Sequence, residues 1–166
     1  MAILCPLQNT SKMENGIWVQ VRPHITQKFG ENPQVYRQFG MDGHNGLDLR
    51  AKEGSPLFSP IEGVASIGNQ GDNGYGKFII IKKDNLSVTI AHLSEFKIVD
   101  GQKVYMGQLI GLTGNTGFST APHLHVTVKK YVNDKLLDAN NGYNGAIDWT
   151  ELGITFKGSL KKNLLE

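Results

Sequence analysis

Short runs of β-branched and apolar residues, separated by glycine-rich turns, dominate the middle of this sequence. Residues 63–67 and 78–81 are two such runs, and the turn-rich segment 68–76 connects them. The chain has 20 glycines in 166 residues, above the roughly 7% that is usual. Runs of this length and composition predict β-strands, and helical periodicity is nearly absent before the C-terminal residues. We therefore predict a mostly β protein, an antiparallel sheet or sandwich of short strands with long groove-forming loops and a small C-terminal extension.

The length of the chain fits one domain with its own core. We expect residues 25–130 to form that core, residues 1–24 to pack on it, and residues 131–166 to be a C-terminal extension of the same domain. Residues 94–99 predict a turn, and residues 148–152 and 160–165 predict short helices. The strands that we expect cover residues 18–22, 57–59 (at an edge), 63–67, 78–81, 86–93, 103–105 and 109–111.

Composition excludes several classes of partner. The formal net charge is only +2, so no basic face for nucleic acid is expected. No stretch approaches the roughly 20 apolar residues of a membrane span. The single cysteine, Cys5, cannot form an internal disulfide. Residues 1–18 lack the charged-then-apolar order of a secretory signal. We expect a monomer with neither a nucleic-acid nor a membrane partner.

His123 and His125 begin an alternating run that predicts a strand through Val128. Because side chains two residues apart on a strand share a face, both imidazoles project from the same side. They are then close enough to share a metal ion and its water. His44 and Asp48 form a second pair, which offers one nitrogen and one oxygen ligand.

His92 follows the apolar run 86–91 and adds one more imidazole. A hydrolytic zinc ion usually has three protein ligands and one open position. His44, Asp48 and one histidine of the 123/125 pair would supply that number. The two remaining imidazoles would then accept the proton of the water and stabilise the oxyanion or protonate the leaving amine. Each feature alone has an ordinary structural explanation, and their conjunction favours a zinc hydrolase. The fifth histidine, His24, is expected to be structural or on the surface.

The motifs that contain these residues resemble those of the lysostaphin-type (LytM-like) zinc endopeptidases. The resemblance covers about residues 25–130 and implies that His44, Asp48 and His125 bind Zn²⁺. It also implies that His92 and His123 are the catalytic imidazoles. The motifs are His44-x-x-x-Asp48, His92-Leu93-Ser94 and His123-x-His125, with Gly46-Leu47-Asp48-Leu49, Pro60-Ile61-Glu62-Gly63-Val64-Ala65, Gly107-Gln108-Leu109-Ile110-Gly111 and Gly114-Asn115-Thr116-Gly117 around them.

The resemblance implies an enzyme that hydrolyses peptide bonds in the cross-links or stem peptides of bacterial peptidoglycan. Its site would lie in a groove walled by residues 29–43, 68–76, 94–103 and 114–122. Such an enzyme acts on the cell wall, outside the cytoplasm. Because no signal peptide is seen, we expect delivery by lysis, a holin or a virion, or else an excised catalytic domain.

Two other interpretations are open at this point. A catalytically silent relative would bind peptidoglycan and regulate other wall hydrolases, although all five functional positions are filled here. A biotinyl or lipoyl carrier module would have similar hairpin sequences to those at residues 59–64 and 104–108. That module needs a modifiable lysine at a hairpin tip, and Lys82-Lys83-Asp84 fits this requirement poorly.

Overall fold

The structure is a computed structural model that describes residues 3–8 and 10–155. Most of these residues lie in strands, as the sequence predicts. The strands are β1 (Ile3–Leu4), β2 (Thr10–Glu14), β3 (Ile17–Val21), β4 (Ile25–Gln27), β5 (Leu47–Arg50), β6 (Pro56–Phe58), β7 (Gly63–Asn69), β8 (Lys77–Lys83), β9 (Leu86–Ala91), β10 (Leu93–Phe96), β11 (Lys103–Val104), β12 (Leu109–Thr113), β13 (His123–Val132), β14 (Lys135–Leu136), β15 (Ala146–Ile147) and β16 (Ile154–Thr155). One short helix, α1 (Pro33–Tyr36), and two 3-10 turns, Arg37–Phe39 and Trp149–Leu152, complete the described elements.

A large antiparallel sheet forms the centre of the fold. Its strands follow the order β11-β7-β8-β9-β13-β5-β4, and β14 and β15 also pair with β13. A smaller antiparallel sheet has the order β10-β12-β6. This arrangement confirms the predicted mostly β class with antiparallel sheets.

The core contains alternate residues of the central strands. In β13, Leu124, Val126 and Val128 are fully buried in the same apolar cluster as Ile79 of β8 and Ile110 of β12. Burial of each such side chain contributes roughly 1.5–3 kcal/mol relative to exposure. Because strand residues alternate, the intervening residues of β13 project from the opposite face of the central sheet. That opposite face is the one available for a functional site.

The strand predictions agree with the structure at most positions, and the exceptions have physical causes. Residues 94–99 were expected to form a turn, which is wrong, because residues 93–96 form β10 by pairing with β12. Strands β1, β2, β4, β5, β14, β15 and β16 and helix α1 were not predicted. Except for β2, these segments have only two to four residues and are too short to carry a periodic pattern, and α1 is shorter than an isolated helix requires. The predicted helix at residues 148–152 is present as the 3-10 turn Trp149–Leu152, capped by the Asp148 side chain. The predicted helix at 160–165 lies outside the described residues.

The two ends of the described chain meet on the domain. Strand β1 pairs in parallel with β16, and the Ile3 backbone N–H donates to the Gly153 carbonyl at 3.0 Å. Trp149 is fully buried in the core cluster. Residues at both ends therefore contribute to the same apolar interior. No helix in the described part of the chain is long and apolar enough to cross a membrane.

Alkylation of Cys5 tests the packing of the N-terminal segment. Its side chain is buried, and burial raises the pKa of the thiol to about 11. Because the thiolate is the reactive species, iodoacetamide at pH 8 should label the folded protein very slowly. Intact mass should show complete labelling once urea unfolds the chain. Rapid labelling without urea would contradict this packing.

Candidate metal centre and active site

Strand register brings Asp48 and His125 together. Asp48 on β5 and His125 on β13 are direct cross-strand partners. Leu47 and Leu49, the neighbours of Asp48, are buried in the core, so Asp48 projects from the opposite face. His125 projects from the same face, because Leu124 and Val126 also point into the core. Pairing of two strands that are far apart in the sequence thus places these two side chains next to each other on one face of the sheet.

His44 completes a cluster of three ligand atoms. It lies three residues before β5, and its Nε2 is 2.9 Å from His125 Nδ1 and 3.1 Å from Asp48 Oδ1. His125 Nδ1 lies 2.8 Å from the same Asp48 oxygen. All three side chains are buried. Within residues 3–8 and 10–155, this is the only group of three histidine, cysteine or acidic residues that could hold a metal ion.

The outer ring nitrogens of His44 and His125 form hydrogen bonds that determine which nitrogen of each ring keeps a lone pair for the cluster. Because a carbonyl can only accept, His44 Nδ1–H donates to the Lys28 carbonyl at 3.0 Å, and Nε2 keeps its lone pair. His125 Nε2 lies 2.7 Å from the Thr127 hydroxyl, which can accept its proton and leave a lone pair on Nδ1. Two nitrogen lone pairs and a carboxylate then converge. Such a donor set fits a divalent cation, and two nitrogens with one oxygen suit Zn²⁺.

Protonation states agree with this interpretation. Burial alone would raise the pKa of Asp48, but the hydrogen bonds and positive charge that His125 and His44 offer when protonated outweigh it and hold the pKa well below its usual range. Burial lowers the pKa of His125, and the charges of His44 and His123 lower it further, so that the net shift is downward although Asp48 raises it. At neutral pH the carboxyl is therefore ionised and His125 is neutral. Metal ligands require these states.

His92 and His123 lie beside the cluster. The ring centroids of the two residues are 4.6 Å apart, and His123 Nε2 is 3.6 Å from Asp48 Oδ2. Each Nδ1–H donates to a backbone carbonyl, that of Thr116 for His92 at 2.7 Å and that of Ala121 for His123 at 2.8 Å. Both Nε2 atoms therefore keep a lone pair. Burial, followed by the charges of His125 and His123, lowers the pKa of His92 to about 4.

The backbone at His92 has an uncommon conformation. Its φ of 63° lies in the left-handed region, which residues with a β-carbon rarely adopt. His92 stands between β9 and β10, and its N–H donates to the Tyr75 carbonyl at 2.9 Å. Strain of this kind is tolerated where the surrounding structure enforces it, often at functional sites. Here the strain turns the chain so that the imidazole reaches the cluster.

Asp48, His92, His123 and His125 line a groove with a volume of about 1050 Å³. That volume is at the upper end of the range for ligand sites and can accommodate an extended peptide. Three of the four predicted walls, residues 29–43, 68–76 and 114–122, contribute lining side chains. Residues 94–103 contribute none, so that expectation is wrong, because β10 pairs with β12 in the smaller sheet. Asn144, from the C-terminal extension, also lines the groove.

Four of the five predicted site residues, Asp48, His92, His123 and His125, line this groove. His44 is fully buried beneath it, in contact with Asp48 and His125, and His24 does not line it. His24 is exposed, and its carbonyl accepts the Arg50 N–H. Sequence reasoning missed Tyr36, which lines the groove with its ring 5.3 Å from that of His44. Burial, then the charge of Asp48, raises the pKa of Tyr36 to about 12, so its hydroxyl keeps its proton, which it donates to Gln27 Oε1 at 3.0 Å. A tyrosine in a loop predicted to be irregular carried no signal of this placement.

Replacement of Thr127 by valine tests the support of His125. The substitution removes the hydroxyl and leaves His125 Nε2 buried without its partner. Outer partners of metal ligands typically affect metal affinity by about 10- to 100-fold, and we expect a loss of that size. Competition with a chromogenic chelator measures the change. The matched control is Thr89→Val, since Thr89 pairs with Thr127 across β9 and β13 and is also buried. Equal zinc affinity in the two variants would contradict the supporting role.

Replacement of Gly46 by alanine tests the close approach of β5 to β13. A β-carbon at Gly46 would lie 2.4 Å from the Val126 carbonyl oxygen and 2.6 Å from His125 Cε1. We expect a loss of about 1–3 kcal/mol in the free energy of unfolding, as in other overpacked sites, together with weaker zinc binding. Gly54→Ala is the control, because Gly54 has open space around it and only a positive φ. Urea unfolding and zinc titration should show lower stability in both variants and weaker zinc binding in Gly46→Ala alone. Unchanged zinc binding in Gly46→Ala would contradict the steric argument.

Comparison with known proteins identifies the family. The sequence profile described as peptidase family M23 matches residues 42–139. This span is more than half of the chain, and the chain belongs to peptidase family M23. The match confirms the family resemblance drawn from the sequence. It also removes the support for a carrier module.

Two curated relatives and one solved structure are similar to this chain. Peptidoglycan DD-endopeptidase ShyA of Vibrio cholerae is 40% identical over 83 residues, which are 49% of this chain and 19% of ShyA. Glycyl-glycine endopeptidase ALE-1 of Staphylococcus capitis is 34% identical over 90 residues, 52% of this chain and 25% of ALE-1. A zinc containing peptidase from Vibrio cholerae superposes with a TM-score of 0.61 at 26% identity, covering 84% of this chain and 39% of that one. The chain thus spans a quarter or less of the length of either curated relative.

Proposed function

We propose that this chain is a zinc-dependent endopeptidase that hydrolyses peptide bonds in the cross-links or stem peptides of bacterial peptidoglycan. One observation carries the proposal: a cluster of three ligand atoms lies at the base of one groove, and two further imidazoles line that groove beside it. Membership of family M23 supports the reaction class. The names of ShyA and ALE-1, both endopeptidases, support a wall peptide as the substrate.

His44 Nε2, Asp48 Oδ1 and His125 Nδ1 would hold the zinc ion. When bound, zinc acts as a Lewis acid toward the scissile carbonyl and lowers the pKa of water at the site. The carboxylate reduces the net charge of the centre to about +1. The hydrogen bonds of both rings to Lys28 and Thr127 keep the ligand atoms aimed at the ion.

His92 and His123 would move the protons. His92 stays neutral near pH 7 because its pKa is lowered, and its Nε2 can accept the proton of the attacking water. His123 Nε2 lies 3.6 Å from Asp48 Oδ2, and this negative charge would stabilise the ring while it carries a proton. The proton that His92 accepts from the water would pass to His123, whose ring centroid lies 4.6 Å from that of His92, and from His123 to the leaving amine. Tyr36 would add a hydroxyl donor at the same groove by exchanging its hydrogen bond to Gln27 for one to the substrate.

Digestion of purified peptidoglycan tests this function. The zinc-loaded protein should release peptides with new amino termini, and mass analysis of the fragments should identify the cleaved bond. Chelation should stop the release, and added zinc should restore it. His125→Ala at the same concentration serves as the inactive control. Wall binding without new amino termini would overturn the proposal and favour the catalytically silent interpretation.

We also propose that the chain works as a monomer at the cell wall. The groove contains ligands and both imidazoles from one copy of the chain, so chemistry requires no second copy. Light scattering should give the monomer mass at the concentration used for digestion. A dimer mass would contradict the monomer.

A further inference from the structure

Arg50 occupies a position in the groove that none of the proposed catalytic roles uses. It lies on β5 two residues beyond Asp48, so both side chains project from the same face. Its direct cross-strand partner on β13 is His123. The side chain is exposed and lines the groove. Arg50 therefore stands next to the catalytic imidazole, on the side that a substrate would cover.

The charge of Arg50 is isolated. Among the described residues that line the groove, Asp48 and Arg50 are the only acidic or basic ones apart from histidine. Asp48 is buried and already contacts three imidazoles. The Arg50 guanidinium makes no ion pair or hydrogen bond with any residue that the structure describes. The remaining polar lining is neutral, from side chains such as Gln27, Asn73 and Ser119.

We propose that Arg50 binds a carboxylate of the substrate next to the scissile bond. The enzyme would thus select wall peptides that carry a free carboxylate near the cleaved bond over uncharged glycine bridges. This inference rests on the proposed peptidoglycan endopeptidase function and narrows its substrate class. A guanidinium forms two parallel hydrogen bonds to a carboxylate, and such charge-assisted bonds are about twice as strong as neutral ones.

Strand geometry limits where that carboxylate lies. Directly opposed residues on antiparallel strands have β-carbons about 4.5–5.5 Å apart, so Arg50 begins within that distance of His123. An extended peptide advances about 3.3 Å per residue. A carboxylate one or two residues from the scissile carbonyl would therefore meet the guanidinium. A wall peptide with a free carboxylate at this spacing would meet this requirement, whereas a run of glycines has no side-chain carboxylate.

A pair of matched substrates tests the inference. One is a cross-linked peptide dimer with a free carboxylate on the cross-linking residue, and the other is the same dimer with that group amidated. We expect the zinc-loaded wild type to prefer the free acid by about 10- to 100-fold in kcat/KM, mostly through KM. Arg50→Gln should reduce this ratio to about 1, and Arg50→Lys should retain part of it. Calorimetry on the two cleaved products should show the same preference in Kd.

Lys52→Gln is the matched control, because Lys52 is exposed two residues further on and does not line the groove. It removes the same charge and should keep the preference of the wild type. Equal cleavage of the acid and the amide by wild type would overturn the role of Arg50 and leave the endopeptidase intact. An equal loss on both substrates in Arg50→Gln would also overturn it, since it indicates a structural role. Failure of the zinc-loaded wild type to cleave either dimer would overturn the proposed function itself.

Discussion

His125→Ala should lose its zinc and all measurable peptidase activity. The substitution removes one of three ligands, a larger change than the loss of an outer partner, which costs about 10- to 100-fold in affinity. The wild type should gain about 2.7 kcal/mol in unfolding free energy at a free zinc concentration of 100 times Kd. For a chain of this length that gain corresponds to a rise in Tm of roughly 5–10 °C. His125→Ala should show no such rise, and elemental analysis after dialysis should find no bound zinc.

His24→Ala provides the matched control for this result. It removes the same side chain from an exposed position outside the groove. We expect wild-type zinc content, activity and zinc-dependent Tm in this variant. Retention of one zinc per chain by His125→Ala would contradict the assigned ligand set.

His123→Ala should keep its zinc and lose rate. A positioned general acid or base contributes about 10²- to 10⁴-fold, so we expect kcat to fall by that factor with one zinc still bound. The ring is held by the Ala121 carbonyl and faces the groove, and its removal leaves all three ligand atoms in place. Kinetics on one defined peptide, with zinc content measured on the same sample, give both quantities.

His92→Ala belongs to the same test. It should also keep zinc, and the double variant with His123→Ala should be far less impaired than the product of the two single losses, because residues that act as a unit are non-additive. If His123→Ala loses zinc as completely as His125→Ala, the division between ligands and proton carriers is wrong.

The sequence predicted the fold class and the site histidines for different reasons. Strand alternation alone places His123 and His125 on one face, because period two holds for any strand. Strand alternation cannot tell which of the two histidines is a metal ligand and which is a catalytic residue. That distinction depends on register, since Asp48 opposes His125 while Arg50 opposes His123. The pairing of β5 with β13 joins segments far apart in the chain, and no local pattern encodes it.

The hydrogen bonds that orient the imidazole rings could not be predicted from the sequence either. Three of the four site histidines donate to backbone carbonyls, those of Lys28, Thr116 and Ala121. Every residue has a carbonyl, so residue identity gives no signal of these contacts. Thr116 and Ala121 both belong to the wall formed by residues 114–122, whose position next to the site depends on loop conformation. The same reason explains why the segment 94–99 was misjudged: its pairing with β12 overrides its local preference for a turn.

Anomalous diffraction at the zinc edge, from crystals grown with zinc, tests the central claim most directly. We expect one strong peak within about 2.0–2.2 Å of His44 Nε2, Asp48 Oδ1 and His125 Nδ1, with the Nε2 atoms of His92 and His123 outside bonding distance. A peak bonded to His92 or His123, or no peak near Asp48, would contradict the account.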